Sequence, residues 1–169
     1  MALRYRYAVV AAGFAVAAVT IVGAAVAGSR SAANVQTTTV VDVPADTVDY
    51  WVDTHISISV GETFSIATTG TVNWDTTHPA VGPTGLKFTK SPCAANQYLD
   101  PTSWAATGIN CYSLIGRIVG SGNNQSNVVF LVGSSFKLKS PVAGDLELGF
   151  NDDYPYDNSG DFSAAVTTP

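Results

Sequence analysis

Ile56-Ser57-Ile58-Ser59-Val60-Gly61-Glu62-Thr63-Phe64-Ser65-Ile66 is the stretch that decides the fold class. Ile56, Ile58 and Val60 alternate with Ser57 and Ser59, Gly61-Glu62 supplies a turn, and Phe64 and Ile66 resume the alternation. A two-residue period puts apolar side chains on one face of a pleated ribbon and polar ones on the other. The same period runs from Val43 onward. It recurs in Leu114, Ile115 and Ile118, in Val128 to Val132, and in Phe136 and Leu138. The last instances are Leu146-Leu148-Phe150 and Phe162-Ala164-Val166. Thr, Val, Ile and aromatic residues suit a pleated, half-buried surface, and Gly61, Gly70, Gly120, Gly133, Gly144 and Gly160 fall where the runs must turn. No segment after Ala27 keeps a helical period over three turns, and no internal repeat is visible. About eight short strands with glycine turns predict an all-β sandwich or jelly roll.

Upstream of this pattern the chain changes character. Arg4 and Arg6 precede an apolar run from Tyr7 to Ala27, and Ala25-Val26-Ala27 offers small residues before Gly28. A basic start, an apolar middle and a small-residue exit describe a secretory signal peptide. The run is also long enough to cross a bilayer as an apolar helix, because ~20 residues suffice. Residues 1–27 are therefore expected to be a signal peptide or an N-terminal membrane anchor. Both place the remainder outside the cytoplasm, secreted or in the cell envelope, with membrane contact only through residues 7–27 if they stay attached. Residues 28–42, rich in Ser, Ala, Thr and Gln, read as a flexible linker. Residues 43–169 read as the β-sandwich domain.

The 169 residues are only 12% charged and 46% hydrophobic, the reverse of a disordered chain. A formal net charge of −5 argues against binding nucleic acid through its phosphates. Two His and two Cys cannot build a multi-His metal centre or a zinc ribbon. In an oxidising compartment Cys93 and Cys111 are expected to pair, which is worth roughly 3 kcal/mol in the chain-entropy model. Two long stretches do not read as strands: 71–85, which contains Trp74 and His78, and 91–111, which contains both cysteines. Loops of this length usually carry function.

The most informative segment is Asn151-Asp152-Asp153-Tyr154-Pro155-Tyr156-Asp157-Asn158-Ser159-Gly160-Asp161. Four carboxylates fall within these eleven residues, with no Lys or Arg. Two carboxylates ~6 Å apart repel by roughly 2–3 kcal/mol at an effective dielectric of ~20. A tightly packed loop needs something to offset that repulsion, and a hard cation such as Ca2+ takes oxygens from Asp, Asn, carbonyls and water. Asp152, Asp157 and Asn158 offer such oxygens from both ends of one turn. Pro155 restricts the chain between them, and Gly160 lets it leave in a conformation other residues resist. The other reading is a solvated acidic hairpin tip. The spacing is not that of an EF-hand.

Asn151-Asp152 after a Leu-x-Leu-x-Phe strand, followed by Asp157-Asn158-Ser159-Gly160-x-Phe162, resembles the C-terminal signature of the PA-I galactophilic lectin-like domain family. Trp51-Val52-Asp53-Thr54, Gly61-Glu62, Ile66-x-x-x-Gly70, Gly82-Pro83-x-Gly85, Leu114-Ile115-Gly116-Arg117-Ile118 and Val132-Gly133 follow that family's order. The resemblance spans about Val43 to Val166 and implies a jelly-roll β-sandwich of the galactose-binding-domain-like kind. It implies one calcium ion at the tip, coordinating two sugar hydroxyls. By position, Asp152, Asp157 and Asn158 match side-chain ligands, Trp74 matches a backbone-carbonyl ligand, and Tyr154 or Pro155 supplies a further carbonyl. The family's His and Gln that grip the sugar have no counterpart in Leu86-Lys87-Phe88-Thr89-Lys90-Ser91, so galactose itself is not implied.

Asp152, Asp157, Tyr154, Tyr156 and Trp74 are the residues expected to face a ligand, while Trp51 and Trp104 are assigned to packing. Catalysis is not expected. There is no nucleophile elbow and no His-Glu-x-x-His helix. Glu62 and Glu147 are the only glutamates, and calcium ligation would occupy the carboxylates that a glycosidase needs. Two functions remain: a calcium-dependent carbohydrate-binding module for extracellular or cell-surface glycans, or a structural domain with a calcium staple that binds another surface protein. A sandwich edge could also pair with another copy to form an oligomer.

Overall fold

The computed structural model describes residues 35–87, 104–120 and 127–169, and within them the alternating stretches form eight strands. These are β1 (Thr37–Pro44), β2 (Trp51–Ile58), β3 (Thr63–Asn73) and β4 (Leu114–Gly120), then β5 (Val128–Leu131), β6 (Ser135–Lys139), β7 (Gly144–Phe150) and β8 (Ser159–Thr168). One short 3-10 turn, Pro155–Asp157, lies between β7 and β8. All pairings are antiparallel, in two four-stranded sheets ordered β1-β8-β3-β6 and β2-β7-β4-β5. Eight strands in two such sheets are the layout of a jelly-roll sandwich. Among the described residues no helix is long and apolar enough to cross a membrane. The expected N-terminal apolar helix, residues 28–34 of the linker, and Cys93 lie outside the described residues.

The inward positions are those that the period-two reading selects. Phe64, Ile66 and Val72 of β3 face Leu146, Leu148 and Phe150 of β7 across a core completed by Leu114 and Ile118 of β4 and Phe162, Ala164 and Val166 of β8. Each fully buried large side chain contributes roughly 1.5–3 kcal/mol through area removed from water. Aromatic rings order the interior: Phe64 lies 6.2 Å from Phe130 and 6.1 Å from Phe136, and Phe150 lies 5.9 Å from Phe162. The β6 edge carries Lys137 and Lys139, charges that discourage pairing with another sheet.

Three departures have local causes. The linker read over 28–42 is too long, because Thr37–Asp42 already belong to β1 and pair with β8 from Thr37↔Thr168 to Asp42↔Ser163. Composition suggested a spacer, yet β-branched Thr and Val fill a pleated edge well. Val60 does not continue the apolar face. It is 67% exposed because the chain has already left β2 for the Gly61 turn. Strand β2 is interrupted by Thr54 and His55, since Asp53 pairs with Glu147 and Ile56 with Leu146. His55 takes φ 56° there, held by its N–H to Asp53 Oδ1 at 2.8 Å, while the Thr54 hydroxyl donates to Leu146 O at 2.7 Å. His55 is thus a bulge residue. Trp51 packs on the outer face of its sheet, under the Arg117 guanidinium at 4.3 Å, and Arg117 also pairs with Glu147.

Candidate functional site

The site is built from the end of β7 downward. Phe150 is the last inward strand residue, and Asn151 follows it fully buried. Its amide clasps the segment leading to β4. Oδ1 accepts from Ala106 N at 2.9 Å, while Nδ2 donates to Ala106 O at 3.1 Å and Asn110 O at 2.9 Å. Its backbone N–H donates to Ser113 O at 3.0 Å, and its carbonyl accepts from Tyr112 N at 2.6 Å. The side chain and backbone of one buried residue therefore hold residues 106–113 against the tip of the sandwich. Tyr112, at φ 57°, projects beside it into the interior.

Asp152 comes next, 2% exposed. Its Oδ1 accepts from Asp153 N at 2.7 Å and Tyr154 N at 3.3 Å, an Asx turn that bends the chain sharply. Its Oδ2 is buried with no hydrogen-bond partner among the described residues. No ion pair there involves Asp152, Asp153 or Asp157. Burial pushes the Asp152 carboxyl up to about 7. The Asn158 side chain and the two backbone amides favour the charged form, the Asp153 side chain disfavours it, and burial prevails. The same environment raises the Tyr50 phenol, through burial first and then the charges of Asp152, Tyr156 and Asp153.

Asn158 closes the turn, 8% exposed. Its Nδ2 donates to Ala45 O at 3.0 Å, and its N–H reaches Pro155 O at 3.4 Å. Its Oδ1 is the second buried oxygen of the tip without a partner. Gly160, the second residue of β8, takes φ 89°, where an added Cβ would lie 2.7 Å from Thr71 O. Gly160→Ala is expected to cost roughly 2–3 kcal/mol from the left-handed backbone and this contact, measured by urea unfolding.

The third part of the site comes from the end of β3. Trp74 is 8% exposed and stacks on Tyr112 (4.1 Å, 13°) and His78 (4.2 Å, 21°). Asp75 folds the following loop on itself. Its Oδ1 accepts from Thr77 N and His78 N, both at 2.7 Å, and its Oδ2 pairs with His78 Nδ1 at 2.5 Å. Desolvation opposes the charge of Asp75, but these amide and imidazole hydrogen bonds outweigh it and lower the carboxyl to about 2.

These segments enclose a cleft of about 240 Å³. Trp74 and Asp75 line it from the segment after β3, with Tyr112, and Asp152, Asp153, Tyr154 and Asp157 line it from the β7–β8 turn. Five expected residues are thus brought together: Asp152, Asp157, Tyr154 and Trp74 in the lining, and Asn158 buried at the base of the same turn. Tyr156 is not in the lining; it leans on Tyr154 with ring centroids 5.3 Å apart. The Trp74 ring is stacked on Tyr112 and His78 while the residue lines the cleft. Cys111 is fully buried beside the site.

Asp75, Tyr112 and Tyr50 were not legible as site residues. Asp75 carries a local signal, an acid three residues before His in a Pro-flanked loop. Tyr112 and Tyr50 carry none, because only the packing of distant segments brings them to the tip. Among the described residues no three His, Cys, Asp or Glu side chains converge into a metal-holding group. A cation here would need a mixed donor set of carboxylate, amide oxygen and backbone carbonyl, which suits a hard ion.

No family model matches the chain, and no curated protein matches it. Among solved structures the chain is similar to a PllA-like lectin, the EclA N-terminal domain, with 21% sequence identity and a TM-score of 0.54. The likeness covers 77% of this chain and 95% of that one, and it shows a shared β-sandwich fold.

Proposed function

We propose that this chain is a calcium-dependent carbohydrate-binding module, exported by its N-terminal segment and acting on extracellular or cell-surface glycans. The observation that carries this reading is the pair of buried, partnerless oxygens of one turn, Asp152 Oδ2 on a residue that lines an acidic cleft and Asn158 Oδ1 at the turn's other end. A buried carboxylate oxygen without a partner is costly, and a divalent ion would satisfy both oxygens together. Asp157 and the carbonyl of Trp74 would add donors. Tyr154 suits the remaining carbonyl better than Pro155, because Pro155 O already receives Asn158 N–H and Tyr154 lines the cleft. Calcium takes six to eight oxygens, so positions remain for two vicinal sugar hydroxyls in place of water. The likeness to a lectin supports the same ligand class.

A second reading keeps the ion and drops the sugar: calcium staples the last hairpin, and the sandwich binds another protein. Leu86 favours it. Leu86 opens the stretch where related lectins grip their sugar, yet its N–H is bonded to Cys111 O at 2.8 Å and its side chain packs against the core. A glycan array probed in calcium and again in chelator separates the two. Chelator-sensitive binding to neutral glycans is the expected result. An array silent in both conditions, from protein that calcium stabilises, would leave the second reading.

A further inference from the structure

The cleft is small. Its volume of about 240 Å³ lies below the ~300–1,000 Å³ of clefts that bury a drug-sized ligand. It accommodates one sugar ring, so the rest of any longer glycan must pass over the rim. Tyr154 and Tyr156 stand on that rim, 57% and 68% exposed, and are the only exposed aromatic residues among those described. Their rings are tilted by 59° at 5.3 Å and are continuous with the cleft through Tyr154. Buried Pro155 and the 3-10 turn it begins hold the backbone between them, so little freedom is lost when a ligand settles on the pair. The core needs neither ring. Inside the cleft, Trp74 and Tyr112 are spent on each other. The free aromatic surface therefore lies beside the ion position and not at it. Asp75, Asp153 and Asp157 line the cleft with no basic side chain, which disfavours an anionic sugar at the tip.

We propose that Tyr154 and Tyr156 form a second subsite that stacks on the neutral sugar unit next to the one held at the ion, so the ligand is a glycan of at least two units. This rests on the carbohydrate reading above. The test is calorimetry on the calcium-loaded full chain with galactose against melibiose and mannose against mannobiose. For the pair that binds, the disaccharide is expected to be about tenfold tighter than its monosaccharide, the size of one good aromatic contact. In a Tyr156→Ala variant, which removes the ring outside the cleft lining, that ratio should fall toward one. Monosaccharide affinity and the calcium-induced rise in Tm should stay as in the parent. Tyr156→Phe, which keeps the ring face, should retain the ratio. Equal affinity for monosaccharide and disaccharide in the parent chain, or an unchanged ratio in the alanine variant, overturns the subsite and leaves the carbohydrate reading standing. No calcium-dependent heat with any of the four sugars overturns both.

Discussion

Calcium at a hundred times its dissociation constant is expected to stabilise the folded chain by about 2.7 kcal/mol, roughly 8 °C in Tm for a domain of this size. Chelator should reverse the shift. Asp152→Asn gives the sharper result. The substitution keeps the oxygen that accepts from Asp153 N and Tyr154 N, so the Asx turn survives. It removes a carboxylate buried at 2% exposure without a cationic partner. The variant should therefore melt in chelator at or above the parent, and calcium should no longer move its transition. Asp152→Ala also loses the turn's acceptor and should melt lower in chelator, again without a calcium response. Paired scanning calorimetry in calcium and in chelator reads all three proteins. A full calcium shift in Asp152→Asn would remove Asp152 from the ligand set and with it the proposed ion site.

Asn151→Ala is expected to be the most damaging single change at the tip. Its amide accepts the buried Ala106 N–H and donates to the buried Ala106 O and to the part-buried carbonyls of Asn110 and, at 3.4 Å, Ile109. Truncation leaves Ala106 N–H without this acceptor and Ala106 O with only the 3.5 Å contact from Ile109 N, while Asn110 O keeps its bond from the Ser113 hydroxyl at 2.6 Å, and it opens a small void. At ~1–3 kcal/mol for a buried group left without a partner, together with the void, the loss is roughly 2–4 kcal/mol. Because the Asn151 side chain ties residues 106–110 to the β7–β8 turn, the damage should extend to the neighbouring ion position. Calcium affinity should fall along with stability, although Asn151 Oδ1 is occupied by Ala106 N and is no ligand. Urea unfolding with and without calcium checks both effects. An Asn151→Ala protein that loses stability but keeps its full calcium shift would show that the tip holds its shape without this clasp.

Much of the fold was legible because a sheet buried on one face repeats every two residues. Phe64 and Ile66, Leu146 and Leu148, and Phe162 and Val166 all point inward as that period requires. The miss at Thr37–Asp42 arose because an edge strand rich in Thr looks like a spacer by composition, and only pairing with β8 identifies it. The Asp152–Asn158 turn was legible for a different reason. Its acids, its proline and its glycine lie within one short segment, so the chemistry and the backbone constraint can be read together.

Local order in the chain determined three things about this protein: an all-β domain, an acidic final hairpin with Gly160 at its exit, and oxygen donors at both ends of one turn. Each depends on residues close in sequence, where spacing alone dictates geometry. The tertiary structure decided which acids matter. Burial separates Asp152, whose second oxygen is left without a partner, from Asp75, whose carboxylate is saturated by its own loop. It also decided that Trp74 stacks on Tyr112 and His78 while Tyr154 and Tyr156 stay open. Solvation and stacking depend on segments dozens of residues apart, and only the closed sandwich brings those together.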